Sequence, residues 1–109
     1  MLAEISPEEL SRRLATGEPT VVVDVREPWE IALVAMPGAL AVPLGELGSR
    51  VSEIPDADDA VVVTVCHHGI RSLQAVAVLT HAGWRDVRSL AGGIDRWARE
   101  VDAAMPRYR

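Results

Sequence analysis

Apolar and polar residues follow two rhythms along this chain, and the switches between them mark its elements. Val21-Val22-Val23-Asp24-Val25 is short, β-branched and apolar on both faces, which predicts a strand buried inside a parallel sheet. Ala60 to Val65 repeats that pattern and runs into Cys66; Ala39 to Val42 and Asp86 to Leu90 predict two shorter strands. Between them the spacing turns helical. Ser6-Pro7-Glu8-Glu9 reads as a capping box, with Ser6 as N-cap and Pro7 in the first turn, opening a helix through Leu10 and Leu14 to Gly17. Glu27-Pro28-Trp29-Glu30 opens a short helical stretch ended by Met36-Pro37-Gly38. Leu44 to Ile54 predicts a helix with Leu44, Leu47, Val51 and Ile54 on one face, followed by a solvated turn at Asp56 to Asp59. Arg71 to Ala82 predicts another, with Leu73, Val76, Ala77 and Leu79 as its apolar stripe and Gly83 as its stop. Gly92-Gly93 predicts a flexible turn, and Ile94 to Val101 a last helix. Strands alternating with helices predict an α/β fold, a parallel sheet covered by helices on both faces.

Composition narrows the class. At 109 residues, 49% of them apolar, the chain suits one packed globular domain spanning residues 1–109 and argues against disorder. The net charge is -5, and the arginines, which supply all 11 basic residues, are scattered. That leaves no basic stripe for nucleic acid. No apolar run approaches the ~18 residues of a membrane span, and the N-terminal MLAEISPEEL lacks the pattern of a signal peptide. One cysteine gives no internal disulfide and suggests a reducing compartment, so the cytoplasm is the expected location.

The candidate chemistry lies in Cys66-His67-His68-Gly69-Ile70-Arg71-Ser72, between a buried strand and a helix. In open α/β sheets this edge is where ligands bind. Backbone N–H groups from His67 to Ser72 can curl around the sulfur, and the following helix adds its positive end; both favour thiolate over thiol. Arg71 adds a fixed positive charge. A lone cysteine is most often packing, but a polar loop at a strand end is a poor place for an inert one. Zinc needs about four ligands, usually from spaced pairs. Cys66, His67 and His68 are consecutive and His81 lies at the far end of the next helix, so no metal is expected. No carboxylate pair suggests acid–base work and no Gly-rich run suggests nucleotide binding, so no cofactor is expected either.

Four motifs in order carry a family resemblance over nearly the whole chain: Asp24-Val25-Arg26-Glu27-Pro28-Trp29-Glu30, Pro37-Gly38-Ala39, Cys66 to Arg71, and Leu90-Ala91-Gly92-Gly93-Ile94-Asp95-Arg96-Trp97. Together they resemble the DVRxxxE, PGA, active-site loop and LxGGixxW signatures of the rhodanese-like (sulfurtransferase) family. The resemblance implies a rhodanese-like fold, with a central parallel sheet of about five strands and helices on both faces, and a persulfide mechanism. Cys66 is then the nucleophile, and His67, His68, Gly69, Ile70 and Arg71 form the shell that binds the persulfide. The implied partners are a small anionic sulfur donor such as thiosulfate and a thiophilic acceptor, cyanide in an assay or a small or protein thiol. The loop is C-x4-R, the shorter form; the related dual-specificity phosphatases carry C-x5-R, which makes phosphatase chemistry a lesser alternative. A non-enzymatic sulfur-carrier or partner-binding module is another. Two departures stand out. Val34-Ala35-Met36 replaces the Gly-His that many relatives carry before PGA, and the loop matches neither the CRxGxT nor the CGSGVT type.

Around the loop, Asp24, Arg26 and Ser72 are expected to support it, Asp24 by pairing with Arg71. His67 or His68, if protonated, would add positive field for an anionic donor. Glu30 is expected to make a turn or helix contact, and Trp29, Trp84 and Trp97 to line the core or a pocket.

Overall fold

A computed structural model of the chain describes residues 3–56 and 59–109. The two branched apolar runs become neighbouring strands, Thr20–Asp24 (β2) and Val61–Val65 (β4), paired in parallel along their whole length from Thr20 beside Val61 to Asp24 beside Val65. With Glu4–Ile5 (β1), Leu40–Ala41 (β3) and Val87–Leu90 (β5) they form a five-stranded parallel sheet in the order β1-β5-β4-β2-β3. β1 escapes the sequence pattern because it is only a two-residue strand ending where the Ser6 cap begins.

Pro7–Thr16 (α1) starts at Ser6, whose side chain accepts from the Glu9 amide at 3.1 Å, but the Glu9 carboxylate binds Arg12 rather than closing the capping box. Pro28–Leu33 (α2) and Leu44–Leu47 (α3) are short; Ile70–His81 (α4) and Gly93–Glu100 (α5) follow β4 and β5. Adjacent positions of each central strand feed opposite faces of the sheet. Val22, Val61, Val63 and Val65 pack with Leu10 of α1 and with Ile94 and Trp97 of α5. Val23 and Val62 pack with Leu47 of α3 and with Ala75 and Leu79 of α4. Among the described residues no helix is long and apolar enough to cross a membrane.

Three expectations are corrected. The helix expected from Leu44 to Ile54 is two pieces, α3 and a 3-10 turn at Val51–Glu53, separated at Gly48, a residue that weakens a helix interior by about 1 kcal/mol. Leu47 and Ile54 are still buried in the core, and Leu44 and Val51 pack against it. The inward stripe of α4 is Ser72, Ala75, Val76 and Leu79, while Leu73 and Ala77 face solvent. A serine at the head of the true stripe disguised it. Trp97 is buried and Trp84 packs against the core, but Trp29 is 61% exposed, because α2 turns Glu30 inward and Trp29 outward. Of the Asp56–Asp59 turn, Ala57 and Asp58 lie outside the described residues.

Candidate active site

Because every strand is parallel, the ends of β2, β4 and β5 emerge at one edge of the sheet. Cys66 leaves β4 there with 1% of its surface exposed. Its Sγ accepts the Gly69 amide at 3.1 Å and the Ser72 amide at 3.3 Å, and its thiol lies 3.3 Å from the Ser72 hydroxyl. Gly69 is the N-cap of α4 and Ser72 its third residue, so two of the four N–H groups left open at that terminus point at the sulfur. The amides of Ile70 and Arg71 have no acceptor within the helix and lie in the same turn. Gly69 is required here: its φ is +102°, and a Cβ would come within 3.2 Å of the Gly92 backbone nitrogen.

The loop's carbonyls are held by the opposite element. The amides of Ile94 and Asp95, in the first turn of α5, donate to Cys66 O at 2.8 Å and His67 O at 3.2 Å. With these two carbonyls drawn outward, the loop amides found on the sulfur are those of Gly69 and Ser72, and the His67 and His68 amides expected there are not among them. Gly93 permits this approach, since a Cβ there would sit 2.3 Å from His67 O. The Gly92-Gly93 pair is thus a close-contact surface and the start of α5 rather than a flexible turn.

Sequence reasoning missed Ser89. On β5 it shares the Val87 face, is fully buried and hydrogen-bonds the Ser72 hydroxyl. When Cys66 is a thiolate, Ser72 can turn its proton to the sulfur and accept from Ser89. Thr64 Oγ1 fixes Ser72 O at 2.8 Å.

The charged residues pair differently from expectation. Asp24 does not meet Arg71; its carboxylate takes the fork of Arg26 at 2.6–3.2 Å, and Arg26 is completely buried. The two residues are close along the chain, and the Arg26 amide also donates to Asp24 Oδ1 at 3.1 Å, so a local turn fixes the pair. Arg71 instead binds Glu30 with both arms, at 2.6 and 2.8 Å. Glu30 caps α2 by accepting the Glu27 amide at 3.1 Å, but its larger role is tertiary, as it also accepts the Tyr108 hydroxyl at 2.7 Å. Arg71 is the main cause, against the opposing effect of burial, that holds the Glu30 carboxyl down at about 2 from an ordinary 4.5.

His67 is not the source of positive field that its side chain suggested. Burial, and secondly the neighbouring His68, push its pKa below 6.5, which favours the neutral ring. The ring is stacked between His68 and Tyr108, with centroids 3.9 Å away on each side. His68 is exposed, and its Nε2 lies 3.9 Å from Asp95 Oδ2. One potential ligand atom from each of His67, His68 and Asp95 lies within 4.8 Å of the others, a grouping the sequence did not show. Asp95 is already taken by Arg107, which depresses its carboxyl pKa, and His67 Nε2 bonds Tyr108 O at 2.7 Å.

A parallel α/β sheet that aims the amides of a strand-to-helix loop at a single buried cysteine defines a class of α/β proteins with an amide cradle at the sheet edge. The chain belongs to the rhodanese-like domain family, whose model matches residues 6–100. It is 46% identical over 99 residues to a protein of Allochromatium vinosum named sulfurtransferase, covering 91% of each chain. It is 35% identical to the Mycobacterium tuberculosis protein named probable adenylyltransferase/sulfurtransferase MoeZ, over 95% of this chain but only 26% of that one. Among solved structures it resembles the human single-domain sulfurtransferase TSTD1, with a TM-score of 0.80 and 29% identity over 92% of this chain and 98% of that one.

Proposed function

We propose that this chain is a sulfurtransferase that carries sulfane sulfur on Cys66 as a persulfide. The observation that carries the reading is the pair of amides, Gly69 and Ser72, directed at a buried Sγ inside a six-residue loop. Such donors stabilise negative charge on sulfur in both resting and loaded forms. The sulfurtransferase names of the Allochromatium and human relatives agree with it.

In the first half-reaction the Cys66 thiolate attacks the outer sulfur of a donor such as thiosulfate. The S–S bond of the donor breaks, sulfite leaves with the bonding pair, and Cys66–S–S⁻ remains. In the second, cyanide or a thiolate attacks the outer sulfur, and the pair returns to Sγ. Atoms and charges balance in both, and the two steps predict ping-pong kinetics. On this reading Gly69, with the open amides of Ile70 and Arg71, binds the persulfide, while the His67 ring and the Arg71 side chain anchor the loop and His68 flanks its mouth. Asp24 and Arg26 brace the end of β2, and Ser72 supports the sulfur directly. The single free cysteine favours a reducing, cytoplasmic setting.

The test is intact mass after thiosulfate, followed by cyanide turnover, in the wild type and in Cys66→Ser. One added sulfur on the wild type, thiocyanate release, and neither in the variant are expected. Unchanged thiocyanate production in Cys66→Ser would rule out Cys66 as the carrier. Loading without turnover would turn the reading to a sulfur carrier serving a protein partner. Cys66-dependent hydrolysis of p-nitrophenyl phosphate without loading would turn it to a phosphatase.

A further inference from the structure

The family match ends at residue 100, yet the chain continues and folds back to the active-site loop. Met105 is buried in the core beside α5, and Arg107 binds Asp95 at 2.8 and 3.1 Å. These two anchors hold the tail, and they deliver Tyr108 to the site. Its ring lies on the His67 ring at 3.9 Å and 8°, and its carbonyl oxygen is 2.7 Å from His67 Nε2. Its hydroxyl donates to Glu30 at 2.7 Å and accepts from Arg26 at 3.2 Å. Trp29 meets the ring edge-on at 6.4 Å.

We propose that Tyr108 is a positioning residue for the sulfur-bearing loop: ring and carbonyl fix His67 at its start, while the hydroxyl braces Glu30, which grips Arg71 at its end. The inference rests on Cys66 being the reactive sulfur. Holding six loop residues in one conformation opposes on the order of 1–2 kcal/mol of backbone entropy each. The backbone bonds from α5 restrain only Cys66 and His67, and Glu30 restrains only Arg71. Tyr108 joins these separate restraints through one rigid ring. A purely stabilising role does not account for its contacts. Met105 and the Arg107–Asp95 pair already fasten the tail, whereas the hydrogen bonds of Tyr108 all go to the loop or to the charged pairs beside it. Nor is it a lid, because the sulfur is enclosed by its own loop and its bonds run to Gly69 and Ser72.

The full chain is compared with Tyr108→Leu, which loses ring and hydroxyl, and Tyr108→Phe, which keeps the ring. The first readout is amide hydrogen exchange at Gly69 and Ser72, which needs no sulfur transfer. Exchange about tenfold or more faster in Tyr108→Leu is expected, beyond any change at the β4 amides, which report global unfolding. Tyr108→Phe is expected to restore most of the protection at Gly69. The second readout is thiosulfate–cyanide kinetics. Tyr108→Leu is expected to lower kcat about tenfold with KM changed less than about twofold, since misaligned amides weaken the transition state more than donor binding. Unchanged exchange in Tyr108→Leu overturns the proposal whatever the activity, as does faster exchange with unchanged or raised kcat. If the wild type transfers no sulfur but exchange responds as expected, the clamp stands and the sulfurtransferase reading fails.

Discussion

Replacing Glu30 by glutamine removes one charge and turns one acceptor oxygen into a donor at nearly constant volume, and its effect can be worked out from the structure. The Glu30 side chain is 4% exposed and accepts both Arg71 arms, the Tyr108 hydroxyl and the Glu27 amide. Its carboxyl is held at about 2 rather than 4.5. Each tenfold in proton affinity corresponds to about 1.36 kcal/mol, so the ionised form contributes about 3 kcal/mol to the folded state. Glutamine imitates the protonated form and lacks that contribution. Breaking a fully buried ion pair costs about 3–5 kcal/mol and an exposed one under about 1 kcal/mol. Arg71 is 35% exposed, so it can recover water when its partner goes, and the expected loss lies between these limits. About 2–3 kcal/mol is expected near neutral pH.

The pH dependence makes this refutable. Between pH 2 and 4.5 the unfolded carboxyl binds a proton that the folded one does not. The stabilisation is therefore complete above the unfolded value and disappears as pH falls through the folded one. Urea unfolding of both proteins at a series of pH values gives the difference directly. It should hold steady from about pH 7 to about pH 5 and close towards zero near pH 2. A gap under about 0.5 kcal/mol at pH 7, or one that stays flat down to pH 2, refutes the claim that Glu30 acts as a buried charge.

Two further substitutions probe the frame around the loop. Asp24→Asn leaves the completely buried Arg26 without a charged partner and should lower the urea-derived stability by about 3 kcal/mol; a loss under about 1 kcal/mol would show that the Val34 carbonyl and Tyr108 hydroxyl suffice for Arg26. Gly93→Ala places a Cβ 2.3 Å from His67 O at a φ of +63°, so it should lower stability by about 2–4 kcal/mol and cyanide turnover at least tenfold. Gly17→Ala, at φ +73° with nothing within 4 Å, is the control: a loss of about 1 kcal/mol and unchanged turnover. Equal effects of the two glycine variants on turnover would refute the close-contact role of Gly93.

What was legible in the sequence was whatever a few adjacent residues determine. β2 and β4 are apolar on both faces, which only a doubly covered parallel sheet accommodates, and Ser6-Pro7-Glu8-Glu9 starts a helix through its own side chains. The position of Cys66 between β4 and α4 follows from the same local reading. The ionic pairs were not legible, because Asp24, Arg26, Glu30 and Arg71 allow two pairings and the choice depends on how far α2 turns Glu30 inward. Ser89 and Tyr108 were missed for different reasons. Ser89 is a small polar residue in a short strand, and its burial follows only from its register beside Thr64. Tyr108 lies past the last helix, 41 residues from His67 and 78 from Glu30, where no local pattern ties it to either.

The two glycines before α5 join these levels. In the sequence they look like slack, but slack cannot orient a loop. An amide cradle works only if the same peptides turn their carbonyls away from the sulfur, and those carbonyls need donors of their own. The first turn of α5 supplies them to Cys66 O and His67 O, and its backbone can come that close only where residue 93 has no side chain. The geometry at the sulfur therefore depends on a glycine in the next βα unit as much as on any residue of the loop. That dependence places Gly93, which lies outside the loop, among the residues that determine how the Gly69 and Ser72 amides face Cys66.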